Sequence, residues 1–132
     1  MNVLQLMVAA HDWLSDPEHW CKGDFGFDSR GMRLGRCEMA NAVKCCAIGA
    51  LMKFSCLAGK EPNGMEYLLA RNHLCNVLAD HVSSWASITT YNDSIADHEA
   101  LLKLYKLAIK KREEWEVEHG EEENQSSDYR CA

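Results

Sequence analysis

The run from Cys45 to Leu57, Cys-Cys-Ala-Ile-Gly-Ala-Leu-Met-Lys-Phe-Ser-Cys-Leu, constrains this chain most. It carries one charge, Lys53, and mixes small residues (Ala47, Gly49, Ala50) with bulky ones (Ile48, Leu51, Met52, Phe54, Leu57). On a helix, Cys46, Gly49, Ala50 and Lys53 share one face by the three-and-four spacing. That face admits a neighbouring backbone closely, and the other faces are apolar. The run therefore predicts a helix buried nearly all round, on which the rest of the chain packs.

The other segments follow from periodicity. Val3, Leu6, Met7, Ala10, Trp13 and Leu14 recur at helical spacing, which predicts a first helix over 3–14. Asp16-Pro17-Glu18 is a helix start, with Asp16 as cap and Pro17 at the first position, so a short turn runs through His19 and Trp20. Residues 22–37 lose the helical period. Asp28 and Gly31 suit the two ends of a turn, and Phe25/Phe27 against Met32/Leu34 form either a small hairpin or an irregular loop.

The central helix is expected to start between Glu38 and Val43, with Asn41 as its cap, and to end at Gly59. A turn follows at 60–64, where Asn63 is placed to cap the next helix. Tyr67, Leu68, Leu74, Cys75, Leu78 and Val82 trace that helix over 65–82. Residues 85–94 read as an extended link, and Ser94-Ile95-Ala96-Asp97 as a variant capping box for the last helix. The last helix has a stripe of Leu101, Leu102, Tyr105, Ala108 and Ile109, with Trp115 further on. The expected fold is mainly α. It is a single-domain bundle of four long helices over 1–119, with a Gly-rich loop or small β-hairpin between helices 1 and 2. An acidic disordered tail is expected over 120–132.

Composition limits function more than it assigns it. A chain of 132 residues suits one domain. The net charge of −6 disfavours a nucleic-acid partner. No apolar run is long enough to span a membrane. The N-terminus lacks the basic and apolar blocks of a secretory signal, so the cytoplasm is expected. The seven cysteines are then read as reduced thiols, mostly small buried hydrophobes, and no Cys-x-x-Cys pair occurs.

Three short pieces carry a resemblance: Trp20-Cys21-Lys22-Gly23 followed by Asp28 and Gly31, then Cys46-Ala47-Ile48-Gly49-Ala50-Leu51, then Tyr91-Asn92-Asp93 before the last helix. In this order they resemble a family of small uncharacterised bacterial and phage proteins with Trp-x-x-Gly, Cys-x-x-Gly-Ala-Leu and Trp-Asn-Asp motifs. The resemblance spans residues 1 to about 110. This chain departs from it at Tyr91, where the pattern has Trp, and in its acidic tail. The family brings no activity. What the resemblance implies is a phage or mobile-element origin and a small protein acting on a host target.

Two chemical readings stand beside this one. Cys46, in the first turns of the central helix, would have its thiol activated by the helix dipole, and Cys46, His81 and Asn92 follow the chain order of a papain-like nucleophile, base and orienter. His19, Cys21, Cys37 and the Cys45/Cys46 pair are candidate zinc ligands if the 22–37 loop folds back, although only His19/Cys21 are closely spaced. The expectation is no metal and no cofactor. Trp20, Lys22, Asp28, Tyr91, Asn92 and Asp93 are the candidate binding residues, on the reading that Asn92 or Asp93 faces the loop and forms a polar pocket with Lys22. The bland reading makes Asn92 and Asp93 helix caps, Asp28 a turn residue and Lys22 a solvated side chain. Lys110-Lys111-Arg112 followed by glutamates reads as a solvated helix end or a partner-binding helix.

The function expected from the sequence is a small phage-type accessory protein that binds and modulates a host or defence protein, with inhibition the expected mode. The alternative is a cysteine-dependent enzyme with Cys46 as nucleophile. Self-association as a homodimer through the last helix stays open.

Overall fold

A computed structural model describes residues 1–61, 64–82 and 86–119. The described chain is mainly helical. Helix α1 spans Val3–Leu14, α2 Ala47–Leu57, α3 Met65–His81 and α5 His98–His119, with α4 a single turn at Ile88–Thr90. Helix α1 packs against α2, α3 and α5, and α3 also packs along α5.

Helix α1 matches its expected bounds. Val3, Leu6, Met7, Ala10 and Leu14 are its buried face, and Asn2 and Gln5 close a reciprocal capping box. The Asp16 carboxylate accepts from the Glu18 N–H, and Pro17 opens a short 3-10 turn over Pro17–His19. Helix α3 starts as expected and ends one residue early. Its cap position is Gly64; Asn63, the expected cap, lies outside the described residues, as do Pro62, residues 83–85 and the expected acidic tail over 120–132.

The 22–46 region joins both expected alternatives. Gly31 N–H donates to Asp28 C=O, Asp28 N–H to Met32 C=O and Leu34 N–H to Gly26 C=O, so the chain does turn back as a hairpin. The regular strand pair is elsewhere. Strand β1, Gly26–Phe27, pairs antiparallel with β2, Lys44–Cys45, with Gly26 opposite Cys45 and Phe27 opposite Lys44. Phe27 also bridges Arg33 on its other side.

The start of α2 needs correction. It begins at Ala47, not between residues 38 and 43. Arg36–Asn41 is a 3-10 helix, and Cys46 is extended at φ −76°, ψ −179°. Cys46 N–H donates to Phe25 C=O, and Cys21 N–H donates to Cys45 C=O. Cys46 is the handover: its N–H is taken by the loop while its C=O accepts from Ala50 N–H of α2, and continuous apolar character does not mark that point. The helix ends at Leu57, and Gly59, at φ +78°, follows its cap Ala58 as the usual left-handed terminator.

The expected extended link over 85–94 is non-helical at Ala86 and Ser87, where Ser87 is extended, and helical from Ile88 on. Ile88–Thr90 leads into a π-helical turn over Tyr91–Ile95. The cap of α5 is Asp97, whose carboxylate accepts from Ala100 N–H, and not Ser94. The buried face of α5 is Leu101, Leu104, Tyr105, Ala108 and Arg112; Leu102 and Ile109 of the expected stripe are partly buried.

Candidate functional site

The three motif segments meet at one junction, and Asn92 is its centre. The π-turn carries Asn92 inward until its side chain is wholly buried. Its Oδ1 accepts from Trp20 Nε1 at 2.8 Å and from Ala47 N–H at 3.0 Å. Its Nδ2 donates to Cys21 C=O at 3.1 Å and to Asp93 Oδ1 at 2.9 Å. An amide has two donors and two acceptor lone pairs, so Asn92 is fully used. Asp93 Oδ1 accepts in addition from Gly23 N–H at 3.0 Å. One side chain thus ties the 20–23 segment, the start of α2 and the π-turn together.

Cys46 is the N-cap of α2. Its sulfur accepts from Gly49 N–H at 3.3 Å and is 3 % exposed. Burial pushes its thiol up to about 11, outweighing the backbone N–H groups that favour the thiolate. The activation expected from the helix dipole is therefore reversed by desolvation. Cys21, half-buried beside it, is pushed up to about 12, also chiefly by burial.

Gly49 explains the Cys-x-x-Gly spacing. A Cβ there would sit 1.9 Å from the Phe25 carbonyl oxygen, the same oxygen that accepts from Cys46 N–H. Only glycine lets α2 press onto this loop. From the far side, Tyr105 of α5 donates its buried hydroxyl to Ala47 C=O.

The candidate binding residues separate into groups. Trp20, Asn92 and Asp93 are joined directly. Lys22 is exposed, with Nζ 5.3 Å from the centre of the Trp20 ring. Tyr91 is buried. Asp28 belongs to its own turn: its Oδ1 accepts from Met32 and Arg30 N–H, and these bonds, that of Met32 foremost, hold its carboxyl below the usual range. No hydrogen bond or ion pair links Asp28 to Asn92 or Asp93. Among the catalytic alternatives, Asn92 lies beside Cys46 through Ala47. His81 stands exposed at the end of α3, and no hydrogen bond joins it to the Cys46 sulfur.

Of the zinc candidates, Cys21 lies by the Cys45/Cys46 pair, whereas His19 and Cys37 are engaged elsewhere. His19 stacks on Trp13 at 4.3 Å and its Nδ1 lies 2.7 Å from Trp13 C=O, while Cys37 is exposed. Among the described residues no group of three or more His, Cys, Asp or Glu is placed to hold a metal ion. No helix among them is long and apolar enough to cross a membrane.

Beside the junction lies an open cleft of about 240 Å³ lined by Gly23, Asp24, Phe25, Cys46, Thr89 and Asp93. The loop leading away from it is the more exposed surface. Met32 is 61 % exposed and Val43 42 %. Residues 29–44 hold Arg30, Arg33, Arg36 and Lys44 against the single acid Glu38. Phe27 has Arg33 and Lys44 as its two cross-strand neighbours, which puts one cationic residue on each side of it in the ladder.

Lys53 is a residue whose role the sequence did not reveal. Its ammonium donates to Ala40 C=O at 3.0 Å and Ala42 C=O at 2.8 Å, and stands 5.0 Å from the Trp13 ring centre. It fastens the 36–42 segment to α2, and being the one charge in an apolar run was the signal for it.

A family model covers residues 1–111. The chain belongs to DUF6197, a family of unknown function. The resemblance read from the sequence is met at that level, an uncharacterised family over nearly the expected span. The DUF6197 match takes in the whole junction and ends inside α5. Neither the curated proteins nor the solved structures yield a match.

Proposed function

We propose that this chain is a small non-enzymatic accessory protein that binds another protein through its 28–44 loop, with the long helices acting as one bundle that carries the loop. The observation that supports this reading is the contrast in commitment of polar groups. Asn92 and the Cys46 sulfur are occupied by internal partners. The loop instead presents Met32, Val43, Arg30, Arg33 and Lys44 outward. The ion pairs Arg30–Asp28 and Arg33–Asp24, at 3.2 and 3.3 Å, are on the surface and weak enough to exchange. An apolar centre rimmed by cations suits an acidic protein surface. That this partner is a host or defence protein, inhibited by a phage-type accessory protein acting in the cytoplasm, rests on the resemblance alone.

The alternative reading, a cysteine-dependent enzyme, keeps the support of the cleft that Cys46 borders. Capture from a host lysate with the wild-type chain and with a Met32→Asp/Arg33→Glu variant separates the two. The binder reading expects a stoichiometric partner that the variant loses while its helical content is kept. Absence of any stoichiometric partner, or retention of it by the variant, overturns the loop as binding face.

A further inference from the structure

Helix α5 turns one face fully away from the molecule. Its buried residues are Leu101, Leu104, Tyr105, Ala108 and Arg112. At 100° per residue, Lys103, Leu107, Lys110, Glu114 and Val117 form a stripe on the opposite side. All five are exposed; Leu107 is 38 % and Val117 86 % exposed, so the stripe holds apolar surface that the monomer leaves in water. The order of residues along it has a two-fold character. Lys110 and Glu114 lie two positions either side of 112, and Leu107 and Val117 lie five positions either side. The stripe is basic on its N-terminal side and acidic on its C-terminal side.

We infer that this stripe is a self-association face, and that a second copy of the chain pairs with it antiparallel, with a two-fold axis at the level of residue 112. In that arrangement Lys110 of each copy stands opposite Glu114 of the other. Leu107 of each copy meets Val117 of the other. Each contact occurs twice, as an isologous interface requires. A parallel arrangement would put Lys110 against Lys110 and Glu114 against Glu114, so the charges themselves choose the direction. Lys111 and Glu113 flank the axis on opposite sides and each lies near its own symmetry copy, like-charge contacts at the border that oppose the pairing and keep it weak. Arg112, at the level of the axis, faces the core and pairs with Glu116 at 3.0 Å.

The face is a single helix about 33 Å long, well short of a standard interface, so the dimer is weak and forms at micromolar or higher concentration. Glu113, Glu114, Val117 and Glu118 lie beyond the family match, which ends at residue 111. The pairing does not depend on the binding role proposed for the loop, and neither result decides the other.

Sedimentation of the full chain over a range of concentrations tests it. The wild type is expected to pass from monomer to dimer. Lys110→Glu and Glu114→Lys, each alone, are expected to raise the dissociation constant about tenfold or more, because each places like charges across the axis twice. The double variant K110E/E114K restores the opposite charges in reversed order and is expected to recover the wild-type constant. Circular dichroism of each variant checks that α5 keeps its helicity. A chain that stays monomeric throughout the range overturns the inference. A dimer that ignores the single reversals, or that the double variant fails to rescue, overturns it too.

Discussion

The inner face of helix α1 and the Asn92 side chain are both fully buried but are held by different means. Helix α1 buries Leu6, Met7, Ala10 and Leu14 and relies on apolar area. The junction buries an amide, a thiol and several backbone groups, and relies on each having a partner. The difference is in how each fails. Trimming a side chain of α1 leaves a void that neighbours can partly fill. Removing the Asn92 amide leaves donors with nothing to bond to.

The largest expected effect breaks the junction. Asn92→Ala strands Ala47 N–H and Trp20 Nε1–H, and we expect a loss of about 4 kcal/mol in denaturant unfolding. Leu14→Ala, the control in the apolar frame, is expected to cost about 3 kcal/mol. An Asn92→Ala loss below that of Leu14→Ala would remove the distinction. Gly49→Ala sharpens the same comparison from the steric side. Its Cβ meets the Phe25 carbonyl, and the expected loss is about 3 kcal/mol with a shifted 22–37 loop, visible in amide exchange. Tyr105→Phe removes only the bond to Ala47 C=O and should cost about 1 kcal/mol.

A pH dependence tests the helical frame. His73 of α3 is held neutral down to about 4, first by burial and then by the Arg112 guanidinium, with Nε2 3.4 Å from Arg112 Nη1. The unfolded chain binds this proton near the ordinary value of 6.5. Between about 6.5 and about 4 the unfolded state holds more protons, so stability falls as pH falls through that window and is flat in this group below it. His73→Gln should flatten the unfolding midpoint across that window, and an unchanged slope would count against the buried neutral imidazole.

The two regions also differ in how far the sequence reveals them. Helix α1, the Asp16-Pro17 turn, α3 and the body of α5 follow from apolar period and caps, because local spacing decides them. The start of α2 does not. Val43, Cys45 and Cys46 look as apolar as the helix after them, and only the pairing of Lys44–Cys46 with the distant Phe25–Phe27 makes them extended. The π-turn at Tyr91–Ile95 was hidden likewise. Asn92 has the composition of a cap, and its bonds reach residues 20, 21 and 47, far away in sequence. The sequence does bring Trp20, Cys46 and Asn92 forward as motif residues. What they do was illegible because it depends on contacts between segments.

Whether the Cys46 sulfur is a structural cap or a reagent separates the binder from the enzyme. Timed iodoacetamide labelling of the native chain near neutral pH, mapped by mass spectrometry, asks this directly. Cys37 and Cys75 are exposed, whereas Cys45 and Cys46 are buried. Labelling of Cys37 and Cys75 with Cys46 left intact until denaturant is added is the result we predict. Labelling of Cys46 in the native chain as fast as Cys37 would contradict it.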